Sequence, residues 1–166
     1  MLNNHARILG FFSQVGEVTG RKKLQKMIYI LQSSGVPFEE KYQFHFYGPY
    51  SEELSLRMEE LCNLGFVAEM KEEKSSYIQY HYCLTDQGQD FLQQFSLDMP
   101  DYQKKAAVLM DKSSRFLELV ATMLFFRDLN HNEVEEKVKK VKPKQRYTTE
   151  EFTQAWEMID KLRQLH

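Results

Sequence analysis

Apolar residues recur every three or four positions in two stretches near the start of the chain. In the first stretch, Ile8, Phe12 and Val15 fall on one face of a helix. The second stretch, TGRKKLQKMIYILQSSG (19–35), has the same period. Gly35 is placed to end it, because glycine readily adopts the left-handed conformation that often follows a helix. We therefore expect two amphipathic helices.

The period changes to two in EKYQFHFY (40–47), which is typical of a strand with one buried face. The residues expected on that face are Tyr42, Phe44 and Phe46. Gly48 and Pro49 are expected to end the strand, since proline cannot donate a hydrogen bond to a sheet. Ser51 is a favourable N-cap for a third helix, expected over residues 51–64.

Two further alternating segments, FVAEM (66–70) and YIQYHYCLT (77–85), flank a polar tip and predict an antiparallel hairpin. A short helix is expected to begin at Thr85. The order helix, helix, strand, helix, hairpin indicates a winged-helix-like domain over residues 1–97. In such a domain the hairpin is the wing, and the third helix occupies the position of a recognition helix.

The rest of the chain, residues 101–166, is helical in pattern and forms a helical extension. LDMPD (97–101) is the expected joint, because the residue before a proline disfavours helix. One helix is expected at 131–141, and the last begins with a capping box formed by Thr148 and Glu151. The predicted fold class is therefore mainly α with a small β component.

One segment of the extension, FLELVATMLFF (116–126), is almost continuously apolar. It predicts a single long helix from about 103 to 129 that needs burial on several sides. We expect this helix to pack either on the first domain or on a second subunit, which would make the protein a homodimer.

Composition limits the class of protein. The 166 residues are 42% hydrophobic, enough for a substantial core, and the net charge of −2 argues against a protein devoted to binding polyanions. Cys62 and Cys83 lie far apart, which predicts neither a disulfide nor a zinc site and fits a cytoplasmic location. No apolar run approaches the ~18 residues of a membrane span, and the first residues do not resemble a signal peptide.

Sequence motifs for catalysis are absent. The chain contains no Gly-x-Ser-x-Gly, no Walker loop, no dinucleotide-binding fingerprint and no His-Glu-x-x-His. Its five histidines are scattered. We therefore expect no enzyme activity, no cofactor and no metal site.

Positive charge is concentrated at the start of the second helix, in Arg21, Lys22, Lys23 and Lys26. Cations at this end oppose the helix dipole and cost about 0.3–1 kcal/mol each. Something negative should compensate them. The source is either an external anion, such as a phosphate or an acidic partner, or an internal acid cluster, for which the candidates are Glu39, Glu40, Glu52 and Glu53.

A second basic segment, KVKKVKPKQR (137–146), has six basic residues in ten. These residues are Lys137, Lys139, Lys140, Lys142, Lys144 and Arg146. Such a segment can bind phosphates by releasing counterions, or it can be a solvated helix end and linker.

Three motifs, KLQKMIYIL (23–31), YGPYSEEL (47–54) and CLTDQG (83–88), resemble in order and spacing the YwgA-type family of small bacterial proteins. This resemblance extends over the full length. The same motifs more distantly resemble the antitoxin-associated Panacea-type domain, over about residues 15–95. That second resemblance implies the neutralisation of a protein toxin.

Two functional hypotheses follow. The first is a non-enzymatic regulatory module that binds a protein partner, because tyrosines are favoured at interfaces and an acidic helix suits a basic partner. Its candidate residues are Tyr47, Tyr50, Glu52, Glu53 and Arg57. The alternative is a DNA-binding transcriptional regulator that uses the basic second helix, the wing and residues 137–146. The acidic third helix argues against this alternative, because phosphates would repel it.

Overall fold

The computed structural model describes residues 2–95 and 99–165, so residues 97 and 98 of the predicted joint lie outside the described residues. The described residues form eight α-helices and five short strands, which confirms a mainly α fold with a small β component. In chain order these elements are α1 (Asn3–Val15), β1 (Val18–Thr19), α2 (Arg21–Ser33), β2 (Gln43–His45), β3 (Gly48–Tyr50), α3 (Glu52–Asn63), β4 (Val67–Glu73), β5 (Ile78–Leu84), α4 (Asp86–Gln93), α5 (Gln103–Met110), α6 (Ser114–Phe125), α7 (His131–Val141) and α8 (Thr149–Gln164).

Polar side chains begin five of the described helices, because the first backbone N–H groups of a helix have no partner within it. Each cap accepts a hydrogen bond from a backbone N–H three residues further on. The caps are Ser51, Thr85, Ser113, Asn130 and Thr148. At the start of α8, the Glu151 side chain accepts a bond from the Thr148 backbone N–H, which completes the predicted capping box.

A three-stranded antiparallel sheet has the order β1–β5–β4. The predicted hairpin is confirmed, with Val67 opposite Leu84 at its base. The sequence pattern missed β1, where Val18 pairs with Tyr82. A strand of two residues is too short to show an alternating pattern.

The predicted strand at 40–47 is wrong in its extent. Only Gln43–His45 is strand, and the chain then reverses, so that His45 pairs with Gly48. Phe46, expected on the buried face, lies at the tip of this hairpin and is 81% exposed. Gly48 and Pro49, which were expected to end the strand, instead form the return strand β3, on an edge where a missing N–H is tolerated.

The predicted single helix from 103 to 129 is also wrong, because the chain forms two helices there. The Lys112 N–H donates to the Leu109 carbonyl to close α5, and Ser113 then caps α6. The polar residues at 111–113 therefore separate α5 from α6, although the apolar pattern predicts one continuous helix.

Helix α6 is central and packs against α2, β3, α7 and α8. Its apolar side chains are buried within the chain itself, from Leu117 to Leu124. The apolar face that motivated a homodimer is thus already covered by other helices of the same chain. Residues before 97 and after 101 share one core, as in the edge-on contact of the Phe38 and Tyr102 rings at 5.8 Å.

Candidate functional site

Arg21 and Lys23 in the basic first turn of α2 are compensated from within the chain, but not by the acids that the sequence suggested. Arg21 donates from Nε to the Tyr82 hydroxyl at 2.6 Å and from an Nη atom to Glu69 at 3.1 Å. These bonds, above all the one to Tyr82, raise the pKa of Arg21. Lys23 donates to the carbonyl oxygen of Met110 at the end of α5.

Lys22 contacts an aromatic ring. Its ammonium lies 3.4 Å from the centroid of the Tyr47 ring, a cation–π contact between two exposed side chains. This contact connects the start of α2 to the tip of the β2–β3 hairpin.

Lys26 is the most deeply placed of the four cations, with 2% of its surface exposed. Its ammonium donates to the Pro49 carbonyl at 2.8 Å, beneath the β2–β3 hairpin. Burial lowers the pKa of Lys26 to about 8, although the negative charge of Glu118 acts in the opposite direction.

A second buried ammonium supports the same hairpin. Lys142 donates to the carbonyl oxygen of Phe46, and its ammonium lies 3.7 Å from Glu118. Burial lowers the pKa of Lys142. The hydroxyl of Tyr147 donates to the other carboxylate oxygen of Glu118. We call Lys26, Glu118, Lys142 and Tyr147 the buried polar cluster.

Sequence reasoning assigned Lys26 and Lys142 to phosphate-binding patches and did not consider Glu118. A signal was present, because Glu118 is the one acid inside the apolar run 116–126. An acid at such a position is buried with the rest of its helix and needs a cation beside it.

A cleft of about 620 Å³ lies between the start of α2, the β2–β3 hairpin and α3, with the sheet at one end. It brings together residues that the sequence had placed in two separate candidate sites, namely Arg21, Lys22, Lys26, Tyr47 and Tyr50. Tyr82, Glu59 and Glu69 also line the cleft, and Leu24 and Met58 add apolar surface.

Two of the predicted partner-binding residues form a separate network. Arg57 lies 3.6 Å from Glu53 and 3.5 Å from Glu40, and Glu53 also accepts a bond from the Lys41 N–H. Burial raises the pKa of Glu40, and Arg57 opposes that shift. Glu53 and Arg57 therefore stabilise the loop before β2 and do not line the cleft with Tyr47 and Tyr50, whereas Glu52 is exposed.

The outer face of α3 combines acids with exposed apolar side chains. Leu56 is 57% exposed and Leu64 is 55% exposed. Glu59 and Glu60 lie between them in the sequence and are exposed on the same helix. The Glu60 carboxylate lies 3.5 Å from His5, and Glu59 has no ion-pair partner among the described residues.

The basic segment at 137–146 does not form one patch. Lys142 is buried, and the ammonium groups of Lys137 and Lys139 lie 5.5 and 5.6 Å from the Phe126 and Phe152 rings. The remaining basic side chains of the segment, those of Lys140, Lys144 and Arg146, are exposed.

Within residues 2–95 and 99–165, no three His, Cys, Asp or Glu side chains are grouped to hold a metal ion. Over the same ranges, every helix is too short or too polar to cross a membrane.

Fold and site together define a mainly α-helical protein in which a small sheet and a cleft lie against a helical core. No model of a known protein family matches the chain. The chain is 54% identical, over 165 residues and 99% of both sequences, to a protein of Bacillus subtilis (strain 168) described as "Uncharacterized protein YwgA". The chain therefore belongs to the YwgA family, which confirms the resemblance found in its motifs. The resemblance to the Panacea-type domain stays a prediction.

Proposed function

We propose that this chain is a non-enzymatic regulatory module that binds a protein partner through the outer face of α3. The order α1–β1–α2–α3–β4–β5, with sheet order β1–β5–β4, supports a winged-helix-like arrangement over residues 1–97. In that arrangement α3 is the recognition helix and β4–β5 is the wing. The β2–β3 hairpin is then an insertion between α2 and α3.

The outer face of α3 carries this proposal. Leu56 and Leu64 are each more than half exposed, and Glu59 and Glu60 lie between them. Exposed leucines offer apolar area to a protein surface, whereas the phosphates of DNA offer none. The carboxylates favour a basic partner and repel a polyanion.

The wing adds apolar surface of the same kind, in Met70, Tyr77 and Ile78. A partner that contacts α3 and the wing together would bury both sets of exposed apolar side chains. If the Panacea-type resemblance extends to function, this partner is a toxin that the module neutralises. The cytoplasm is the proposed location, because Cys62 and Cys83 are free thiols.

The test is a quantitative affinity purification from the native host, with the wild-type chain and the double variant Leu56→Ala/Glu59→Lys. We expect one protein to be recovered stoichiometrically with wild type and reduced at least about tenfold with the variant, since a central apolar contact and its charge are both lost. Glu157→Lys, which reverses an exposed glutamate on α8, is the matched control and should retain the partner. Equal recovery with both variants would contradict the proposed surface.

DNA binding is a second candidate function, favoured by the exposed cations Lys140, Lys144 and Arg146. We expect duplex DNA to bind at ~150 mM salt only in the weak, salt-sensitive range of non-specific complexes. A sequence-selective complex of nanomolar affinity would place DNA ahead of a protein partner.

A further inference from the structure

We propose that the cleft between α2, the β2–β3 hairpin and α3 is a binding site for a small planar aromatic anion. The cleft shares Glu59 with the proposed protein-binding face of α3, but small-molecule binding is measured on the isolated chain without a protein partner, so the two proposals can fail separately. A volume of about 620 Å³ is that of a pocket for a small molecule of two or more rings.

The charges that line the cleft are incompletely balanced. Arg21 is paired with Glu69 at 3.1 Å. Among the described residues, neither Lys22 nor Lys26 forms an ion pair, and the second acid of the lining, Glu59, is exposed on α3. Within the described part of the chain, Lys22 thus has no carboxylate beside it, and Glu118, whose negative charge acts on Lys26, lies outside the lining of the cleft, which favours a ligand that carries negative charge there.

Lys26 has donors to spare for such a ligand. An ammonium can donate three hydrogen bonds, and the Pro49 carbonyl accepts one of them. Because Lys26 is almost fully buried, a bond to an anion there would be far less screened than one on the surface. Lys26 is therefore the anchoring cation.

The walls of the cleft favour a flat ligand. Tyr47, Tyr50 and Tyr82 line it together with Leu24 and Met58. Aromatic rings stack on planar groups, and a thioether adapts its shape to a ring. An aliphatic anion would satisfy the lysines and leave these walls without a partner.

Lys22 and Tyr47 form the mouth. The cation–π contact between them joins two exposed side chains, so it can open without disturbing the core. A ligand that inserts its ring beside Tyr47 and its anionic group beside Lys22 would replace that contact with a stacking contact and an ion pair.

The protonation of Lys26 gives the binding a characteristic pH dependence. Its pKa is lowered to about 8 by burial, so part of the population is neutral at mildly alkaline pH. A bound anion stabilises the ammonium form and raises this pKa, and binding is then coupled to proton uptake. Affinity for an anion should therefore fall as the pH rises above about 8.

The experiment is a titration of the purified full chain with four probes, followed by isothermal calorimetry and by amide chemical shifts. The probes are 2-naphthoate, 2-naphthyl phosphate, the neutral 2-naphthamide and inorganic phosphate. We expect at least one naphthyl anion to saturate the cleft with a dissociation constant below ~1 mM, and both 2-naphthamide and inorganic phosphate to bind at least about tenfold more weakly. Comparison of the two naphthyl anions decides whether the natural ligand carries a carboxylate or a phosphate.

Three variants locate the binding. Lys22→Ala and Tyr47→Leu change exposed side chains at the mouth, and Lys26→Met removes the anchoring cation. Each should weaken the naphthyl anion about tenfold, whereas the control Lys140→Ala on α7 should not. The mouth variants keep the test decisive if Lys26→Met does not fold. The proposal is overturned if no anion saturates by ~5 mM, if 2-naphthamide binds as tightly, or if the mouth variants bind like wild type.

Discussion

Two antiparallel hairpins lie within the described residues, and they are supported in opposite ways. The β2–β3 hairpin is held by two buried side chains, because Lys26 and Lys142 donate to the carbonyl oxygens of Pro49 and Phe46. The β4–β5 hairpin has its base on the core and its tip in solvent, with Tyr77 more than half exposed.

This difference teaches how a short hairpin is fixed in place. β2–β3 has three residues in each strand and could not be stable alone. Two buried ammonium groups and Glu118 supply what the short ladder lacks, and the hairpin can then form one wall of the cleft. β4–β5 has seven residues in each strand, and its ladder continues into β1, so it needs no such support.

The largest loss of stability is expected when the carboxylate of Glu118, which lies near both Lys26 and Lys142, is removed. Glu118→Gln leaves Lys26 and Lys142 buried without their nearby negative charge, and we expect a loss of roughly 3 kcal/mol in the free energy of unfolding. Urea denaturation followed by circular dichroism measures it.

The matched control for this prediction is Glu72→Gln on β4. Glu72 bonds to Lys74 and His81 in the open hairpin, where solvent screens the charges. We expect a much smaller change there. Comparable losses at the two sites would show that the buried polar cluster has no special part in stability.

The turn of the anchored hairpin offers a second test of intermediate size. Gly48 has a φ of +92°, and an added Cβ would lie 3.2 Å from Thr122 Oγ1 and 3.5 Å from Lys26 Cε. Gly48→Ala therefore combines backbone strain with crowding against α6, and we expect it to cost about 2 kcal/mol by thermal and urea unfolding.

Gly16→Ala separates these two contributions. Gly16 also has a positive φ, +81°, but an added Cβ there has nothing within 4 Å. The Gly16→Ala substitution should lower the free energy of unfolding by about 1 kcal/mol, which is the contribution of backbone strain alone. If the two variants are equally destabilised, then the close approach of α6 to the hairpin contributes nothing.

The sequence predicted the two hairpins unequally, for a physical reason. The alternating pattern of β5, over seven residues, is a strong local signal, and the sequence predicts the β4–β5 hairpin correctly, although β4 continues three residues beyond its pattern, to Glu73. In β2–β3 the local signal misled, because Phe46 continues the alternation although it lies at the exposed tip. What fixes that tip is Lys142, almost a hundred residues away in the chain.

The same limit applies to the candidate site. Local pattern identified Arg21, Lys22, Lys26, Tyr47 and Tyr50 as unusual, but it could not show that they line one cleft. The ion pair of Arg21 with Glu69 and the position of Glu118 near Lys26 depend on how distant elements pack. Charge at a helix start predicts that a partner exists, whereas only the tertiary structure identifies it.

The smallest of the expected effects on stability comes from the protonation of Lys26 beneath the β2–β3 hairpin. Its pKa is about 8 in the folded chain, against an ordinary value of 10.5 that applies when the chain is unfolded. Below pH 8 the ammonium is charged in both states, and the cost of its burial is fully present. Above pH 8 the folded chain releases this proton before the unfolded chain does, so the contribution of Lys26 to stability rises with pH.

We therefore expect the stability of wild type, relative to Lys26→Met, to increase by on the order of 1 kcal/mol between pH 8 and about 9.5. Lys142 shifts in the same direction and is present in both proteins, so the effect of its own burial cancels in the difference. The window ends below the titration of the tyrosines, whose raised pKa values act with the opposite sign. Lys140→Met, on the exposed face of α7, controls for the loss of one charge. Parallel pH profiles for wild type and Lys26→Met would mean that the ammonium beneath the hairpin is as well solvated as one on the surface.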